Sequence, residues 1–286
     1  MNRRDFLAAT AASAFFATDV LAQAGEPKVL RLALLPDENA GTIIQNAQPL
    51  KAYLEKALHK DVELIVTTDY SSMIEAMRFG RIEIGYFGPL SYVLARSRSD
   101  IEAFAAGLSK GQPTYTSVVI AQVGGPVKAI ADVKGTTVAY GDQASTSSHL
   151  VPRALLADAG LIAERDYKMV FLGQHDAVAR AVETGKAPVG ALSKPIYESL
   201  LAAHKLDATK VRVIAETRPI PNYPIAMQTK LPAPLKQQIR QAFLEIRDPA
   251  ILKSFRADGF APMSDADYDV LRTTAKVLNL DIAKLQ

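Results

Sequence analysis

Two periodicities alternate along the chain. Residues 28–36, "KVLRLALLP", form an apolar run suited to a strand, and Pro36-Asp37 stops it. Residues 48–58, "QPLKAYLEKAL", switch to a helical rhythm, with Leu50, Tyr53, Leu54, Ala57 and Leu58 on one face. The same reading predicts strand 61–67, helix 71–79, strand 82–86, helix 89–97 and strand 114–122. It continues with strand 136–140, helix 150–159, strand 168–172, helix 176–184 and strand 188–192. Strands alternating with helices of about ten residues point to an α/β fold with mostly parallel sheets.

An internal echo sharpens this picture. Residues 68–87, "TDYSSMIEAMRFGRIEIGYF", align with 173–192, "GQHDAVARAVETGKAPVGAL", at a constant offset of 105 residues. Ala76 then falls on Ala181, Gly80 on Gly185, Gly85 on Gly190, and Tyr70 on His175. Each copy reads as a helix ended by Gly, a short turn, and a strand containing Gly. Either a common αβ unit matches itself by chance, or two similar lobes each present one polar ring from the same place.

Candidate chemistry concentrates in 141–152, "GDQASTSSHLVP", between a predicted strand and a predicted helix. Capping a helix needs one hydroxyl residue, and here Ser145, Thr146, Ser147 and Ser148 stand in a row. Pro152 suits the first turn of the helix that follows. A helix mouth offers free N–H groups and positive potential, and small hydroxyls let an anion approach the backbone. Strand-to-helix junctions at the C-terminal ends of strands are also where α/β sheets collect ligands, and Tyr70 and His175 occupy two more of them. His175 offers either a charge-assisted or a neutral hydrogen bond. Tyr115 reads as strand packing, Tyr86 and Tyr92 as strand and helix packing, and Tyr223, in "RPIPNYP", as part of an inter-lobe crossover.

Competing chemistries lack their parts. No Lys follows the hydroxyl run as a phosphate-binding P-loop requires. "QASTS" has no glycines of a G-x-S-x-G elbow. The four histidines (His59, His149, His175, His204) form no metal-binding spacing, so no metal or cofactor is expected. A polar helix cap beside a surface histidine remains the purely structural alternative.

Composition adds a compartment. The 286 residues are 49% hydrophobic and 22% charged, with a net charge of +3 and no basic run, so nothing suggests nucleic-acid binding. Residues 1–24 contain Arg3-Arg4, an apolar stretch Phe6–Phe16, and small residues at Ala22–Ala24, the pattern of a cleaved export signal. "RRDFL" resembles the twin-arginine motif, which carries folded proteins across a membrane. Cys is absent, so disulfides, thiolate chemistry and a lipid-modified cysteine anchor are excluded. The expectation is a soluble exported protein, as in a periplasm.

"TDYSSMIEAMRFGRIEIGYFGPLSY", "ASTSSHLVPRALL" and "LGQHDAVARAVETGKAPVGAL" together resemble the phosphonate-, phosphite- and phosphate-binding family of ABC-transporter solute-binding proteins. The similarity extends over roughly 28–260. It implies a two-lobed type II periplasmic binding fold, each lobe a mixed, mostly parallel sheet flanked by helices, joined by two hinge crossovers. Lobe 1 would comprise 25–120 plus 217–286, and lobe 2 would comprise 121–216. The resemblance further implies that Ser145, Thr146 and Ser147 grip a phosphoryl group, with Tyr70, Tyr115 and His175 closing over it. Ser148, where the family usually has Gly, and Tyr223 are further candidate contacts. "LSKP", with Ser193 and Lys194, replaces the acidic residues that hold an amine in some members, which favours phosphite, phosphate or an alkylphosphonate.

The expected function is therefore capture of a small oxyanion by a monomer that delivers it to an ABC permease, with no catalysis. A sensor that presents its ligand to a membrane histidine kinase is the first alternative. The second is an exported hydrolase with His175 as base and Ser145 or Ser147 as nucleophile, although Asp176 is poorly placed to support it.

Overall fold

The structure, a computed structural model, describes residues 26–281. The expected leader, 1–24, lies outside them. The first half runs β1 (Val29–Leu34), α1 (Ala40–Asn46), α2 (Gln48–Leu58), β2 (Asp61–Val66), α3 (Tyr70–Arg78), β3 (Ile84–Tyr86), α4 (Pro89–Arg98) and β4 (Ile101–Leu108). After β5 (Thr114–Tyr115) and β6 (Ser117–Gln122) come β7 (Thr137–Tyr140), a π-turn over Thr146–Leu150, α5 (Val151–Asp158) and β8 (Lys168–Phe171). Then follow α6 (His175–Glu183), β9 (Val189–Ser193), α7 (Lys194–Ala202) and β10 (Val211–Glu216). The chain returns through β11 (Ile220–Pro221) and β12 (Pro224–Gln228) to α8 (Ala233–Leu244), α9 (Pro249–Ser254), β13 (Gly259–Pro262) and α10 (Asp269–Val277).

Two sheets result, with orders β13-β4-β12-β3-β1-β2 and β10-β6-β9-β7-β8. Central strands such as β6 and β9 are buried almost throughout, and apolar clusters cover both faces of each sheet. This is the α/β, two-lobed architecture expected, but parallel pairs are no majority. Among the named strands of the described residues, β1 with β2 and β3, and β7 with β8 and β9, pair in parallel. The reason lies in the connections. Strands of the βαβ units run toward the junction between the sheets, whereas β6 and β12 enter their sheets from that junction and run away from it.

The strand expected over 114–122 breaks at Thr116. Its first part pairs antiparallel with β11, with Tyr115 opposite Ile220, and its second joins the five-stranded sheet. The two connecting segments therefore lie side by side as a short ribbon. The tail does not stay with one sheet. Tyr268, Leu271 and Ala275 pack in the same cluster as Tyr92 and as Ala144, Leu150 and Val151.

The 105-residue echo is structural. α3 and α6 begin at Tyr70 and His175, and α4 and α7 at Pro89 and Lys194, all at the same offset. Gly80 and Gly185 both take left-handed conformations, with φ of 64° and 72°, as helix C-termini require. Gly190 serves close packing instead: a Cβ there would lie 2.7 Å from Val178 Cγ1 and 3.2 Å from the Ala139 carbonyl oxygen. Gly190→Ala is therefore expected to destabilise the fold by about 1–3 kcal/mol through overpacking. Urea unfolding should show a lower midpoint with an unchanged slope; an unchanged midpoint would contradict this packing.

Candidate ligand-binding site

Helix N-termini from both sheets converge at the junction, and their first N–H groups lack intrahelical acceptors. Some are answered across the junction. The Tyr70 N–H donates to Asp142 Oδ2 at 3.4 Å, the His175 N–H to the Asp37 carbonyl at 2.9 Å, and the Leu90 N–H to Thr146 Oγ1 at 2.7 Å. Asp37 and Asp142 themselves stand 105 residues apart, so the first two bonds are related by the internal repeat.

The hydroxyl run divides by role. Ser145 caps the turn, its Oγ accepting from the Ser148 N–H at 3.0 Å, which leaves its own proton to donate. Thr146 likewise keeps its hydroxyl proton after accepting from Leu90. The Ser147 carbonyl is held by Ser117 Oγ at 2.5 Å, which fixes the backbone of the turn. Ser148, a further candidate contact, has its hydroxyl engaged within the fold. Its Oγ accepts from the Gly141 N–H at 2.7 Å and donates to the Ala191 carbonyl, so the hydroxyl is spent on joining β7 to β9. The neighbouring His149 is also structural: Nδ1 bonds the Gln143 carbonyl at 2.7 Å, and the ring packs edge-on against Tyr140 and Phe171.

Aromatic rings close the other side. Tyr115 lies with its centroid 5.3 Å from that of Tyr223, and Tyr223 stacks on Tyr86 at 5.3 Å. The Tyr115 hydroxyl is surrounded by Ser147, Tyr223 and Thr146, yet is buried without a hydrogen-bond partner of ordinary geometry. The Tyr70 hydroxyl is held near Ser145. Tyr92 conforms to its packing role, its hydroxyl donating to Asp265 Oδ1 at 3.0 Å. Tyr86 does more than pack, because it lines both small cavities at the junction.

Those cavities, of about 40 and about 20 Å³, share Tyr86, Phe255 and Arg256 on their walls. The larger also meets Asp37 and Glu38, and the smaller meets Tyr115, Ser193 and Tyr223. A groove of about 640 Å³ between α1, α7 and α9 shares Glu38, Thr42 and Arg256 with the larger cavity. Neither cavity is lined by Ser145, Thr146 or Ser147, which are buried.

His175 is fully buried at the start of α6. Its Nδ1 accepts from the Ser193 N–H at 3.0 Å, which places the proton on Nε2, and Nε2 is buried without a partner. Desolvation pushes its pKa down to about 3. Of the two roles left open by the sequence, the structure supports the neutral donor.

Two site features, Asp37 and Arg256, escaped sequence reading. Asp37 had been read only as the end of a strand, yet it is buried at the junction, and burial pushes its carboxyl up to about 6. Arg256 pairs with Glu38 and acts electrostatically on Asp37. Lys194, weighed as a specificity residue, turns away to bond Glu216 at 2.7 Å. The position of Asp37 just past the C-terminal end of β1 was the signal available for it.

A family model for the phosphonate ABC transporter periplasmic substrate-binding protein matches residues 32–268. The chain belongs to this family. It is 26% identical over 288 residues to a phosphate-import protein of Mycolicibacterium smegmatis, covering 91% of this chain and 89% of that one. It is also 26% identical over 259 residues to the phosphonates-binding periplasmic protein of Escherichia coli, covering 87% and 77%. In fold it resembles a Prochlorococcus marinus protein solved with methylphosphonate, at a TM-score of 0.81 and 23% identity over 89% of this chain and 99% of that one. Substrate-binding transport proteins of this family capture solutes rather than transform them. Among the described residues no helix is long and apolar enough to cross a membrane.

The buried histidines give a pH test. Unfolded histidine takes a proton near pH 6.5, whereas His149 and His175 are held down to about 4 and about 3. The unfolded chain thus binds more protons, so both residues remove stability as pH falls below about 6.5. Asp37 opposes them, because its raised pKa favours the folded state as pH falls from about 6 toward the unfolded value near 3.9. Nitrogen-15 spectra of the imidazoles should show His175 neutral, with its proton on Nε2, down to about pH 5. Titration of His175 near pH 6.5 would contradict the geometry.

Proposed function

We propose that this protein is exported to the periplasm, where it captures phosphite, phosphate or an alkylphosphonate between its two lobes and passes it to an ABC permease. The lobes follow the division 25–120 plus 217–286 and 121–216, with the β5–β11 ribbon as the hinge between them. Family membership and the names of the relatives support this reading. The observation that carries it is a set of unmatched polar atoms in one buried place. Tyr115 Oη and His175 Nε2 are buried without hydrogen-bond partners, and Ser145 and Thr146 of the hydroxyl run, each accepting one bond, keep a proton to donate.

Leaving such groups unpaired costs about 1–3 kcal/mol each, and an oxyanion satisfies several at once through charge-assisted bonds. The same geometry favours binding over hydrolysis. With Nδ1 engaged by Ser193, His175 presents an N–H rather than a lone pair, so it is poorly prepared to act as a base toward Ser145 or Ser147. The expected contacts are Tyr70, Tyr115, Ser145, Thr146, Ser147 and His175, with Tyr223 supporting the wall.

Tyr115→Phe removes an unpartnered hydroxyl and leaves the ring packing. Titration calorimetry with methylphosphonate, phosphite and phosphate should identify a ligand for the wild type, and the variant should bind it about 1–3 kcal/mol more weakly at unchanged protein stability. Ser147→Ala should weaken binding to a similar degree. Wild-type affinity in both variants would overturn this assignment of the site.

A further inference from the structure

The internal repeat provides a comparison within one molecule. Asp37 and Asp142 follow β1 and β7 and stand 105 residues apart, at equivalent positions of the repeat. Asp142 is fully employed: Oδ1 accepts from the Ala144 N–H at 2.7 Å, and Oδ2 accepts from the Tyr70 N–H. Asp37 meets the corresponding helix through its backbone carbonyl instead, which receives the His175 N–H. The helix start therefore makes no claim on its carboxyl, whose Oδ2 is buried without a hydrogen-bond partner.

The surroundings define what that oxygen can meet. The Tyr223 hydroxyl acts on the Asp37 carboxyl to favour its ionised form, and the hydroxyls of Tyr70, Tyr86 and Tyr115 also feel its charge. Arg256, paired with Glu38, stabilises the ionised form, while Asp176 opposes it from α6. The neutral His175 ring adds no charge. An ammonium group at Asp37 would have to share this place with the Arg256 guanidinium, which disfavours an amine-bearing ligand. A neutral O–H donor meets no such repulsion.

We propose that Asp37 hydrogen-bonds the acidic proton of the bound oxyanion, so that the site selects phosphorus oxyanions able to share one proton and discriminates against sulfonates, which have none at neutral pH. The proposal rests on the oxyanion-binding function and deepens it. A carboxylate and a phosphonate dianion buried together repel, and one proton held between them removes the repulsion. With a sulfonate, the carboxylate oxygen faces an acceptor, the unfavourable pairing that excludes a ligand most effectively. At acid pH the proton resides on the carboxyl and the same contact survives with donor and acceptor exchanged.

The test is calorimetric titration of the purified protein with methylphosphonate and methanesulfonate between about pH 6 and about pH 9, in buffers of different ionisation enthalpy, so that proton uptake is counted. The wild type should take up roughly one proton per methylphosphonate at the alkaline end and bind methanesulfonate at least roughly 100-fold more weakly. Asp37→Asn, with an N–H to offer, should lose the proton uptake and narrow the gap between the two ligands by more than about tenfold. An Asn variant that keeps both the uptake and the gap overturns the proposal. So does a wild type that binds methylphosphonate without taking up a proton, a result that needs no variant to fold. A wild type that binds none of methylphosphonate, phosphite and phosphate overturns the oxyanion-binding function itself.

Discussion

Helix N-termini brought together in a dry place must find acceptors, because each exposes N–H groups and a positive end that water no longer satisfies. This chain gathers the starts of α3, α4, the turn before α5, α6 and α7 where its two sheets meet. Three N–H groups are matched across the junction by Asp142, Asp37 and Thr146. Those bonds hold the halves in register. The buried Tyr115 hydroxyl and His175 Nε2 stay unmatched, and on the proposed reading an anion answers them.

The repeat explains how such a recess arises. Two βα units related by the 105-residue offset face each other, so equivalent junctions meet across the interface. Strict symmetry would match each carboxylate with a helix start. The chain departs from symmetry at two pairs of positions: His175 stands where the other half has Tyr70, and Asp37 bonds through its carbonyl where Asp142 uses its side chain. Both departures leave a buried polar atom without a hydrogen-bond partner. Aromatic packing by Tyr86, Tyr115 and Tyr223 keeps water from neutralising them, which strengthens every electrostatic contact made there.

Much of this was legible in the sequence because local pattern and global fold agree. Helix 48–58 has the bounds its apolar spacing implies, and α3 and α6 begin within one residue of expectation. The echo read from Ala76/Ala181, two glycine pairs and Tyr70/His175 holds in the structure. Hydrogen-bond direction was not legible. Nothing in "STSS" distinguishes Ser148, whose hydroxyl joins two strands, from Ser145, whose hydroxyl retains a free proton. Asp37 was missed because a single acid after Pro reads as a strand stop, and only the fold reveals that it is buried. The excess of antiparallel pairs was hidden for a similar reason: periodicity identifies strands but says nothing about the end from which a crossover enters a sheet.

The central claim is that the buried donors exist to meet an oxyanion, and the His175 Nε2–H bond reports on it most directly. With only four histidines in the chain, a sample carrying nitrogen-15 in its imidazoles gives a resolvable spectrum. On saturation with methylphosphonate, the His175 Nε2–H proton should move strongly downfield and show coupling to phosphorus across the hydrogen bond. A saturated complex in which that signal neither shifts nor couples would contradict the account.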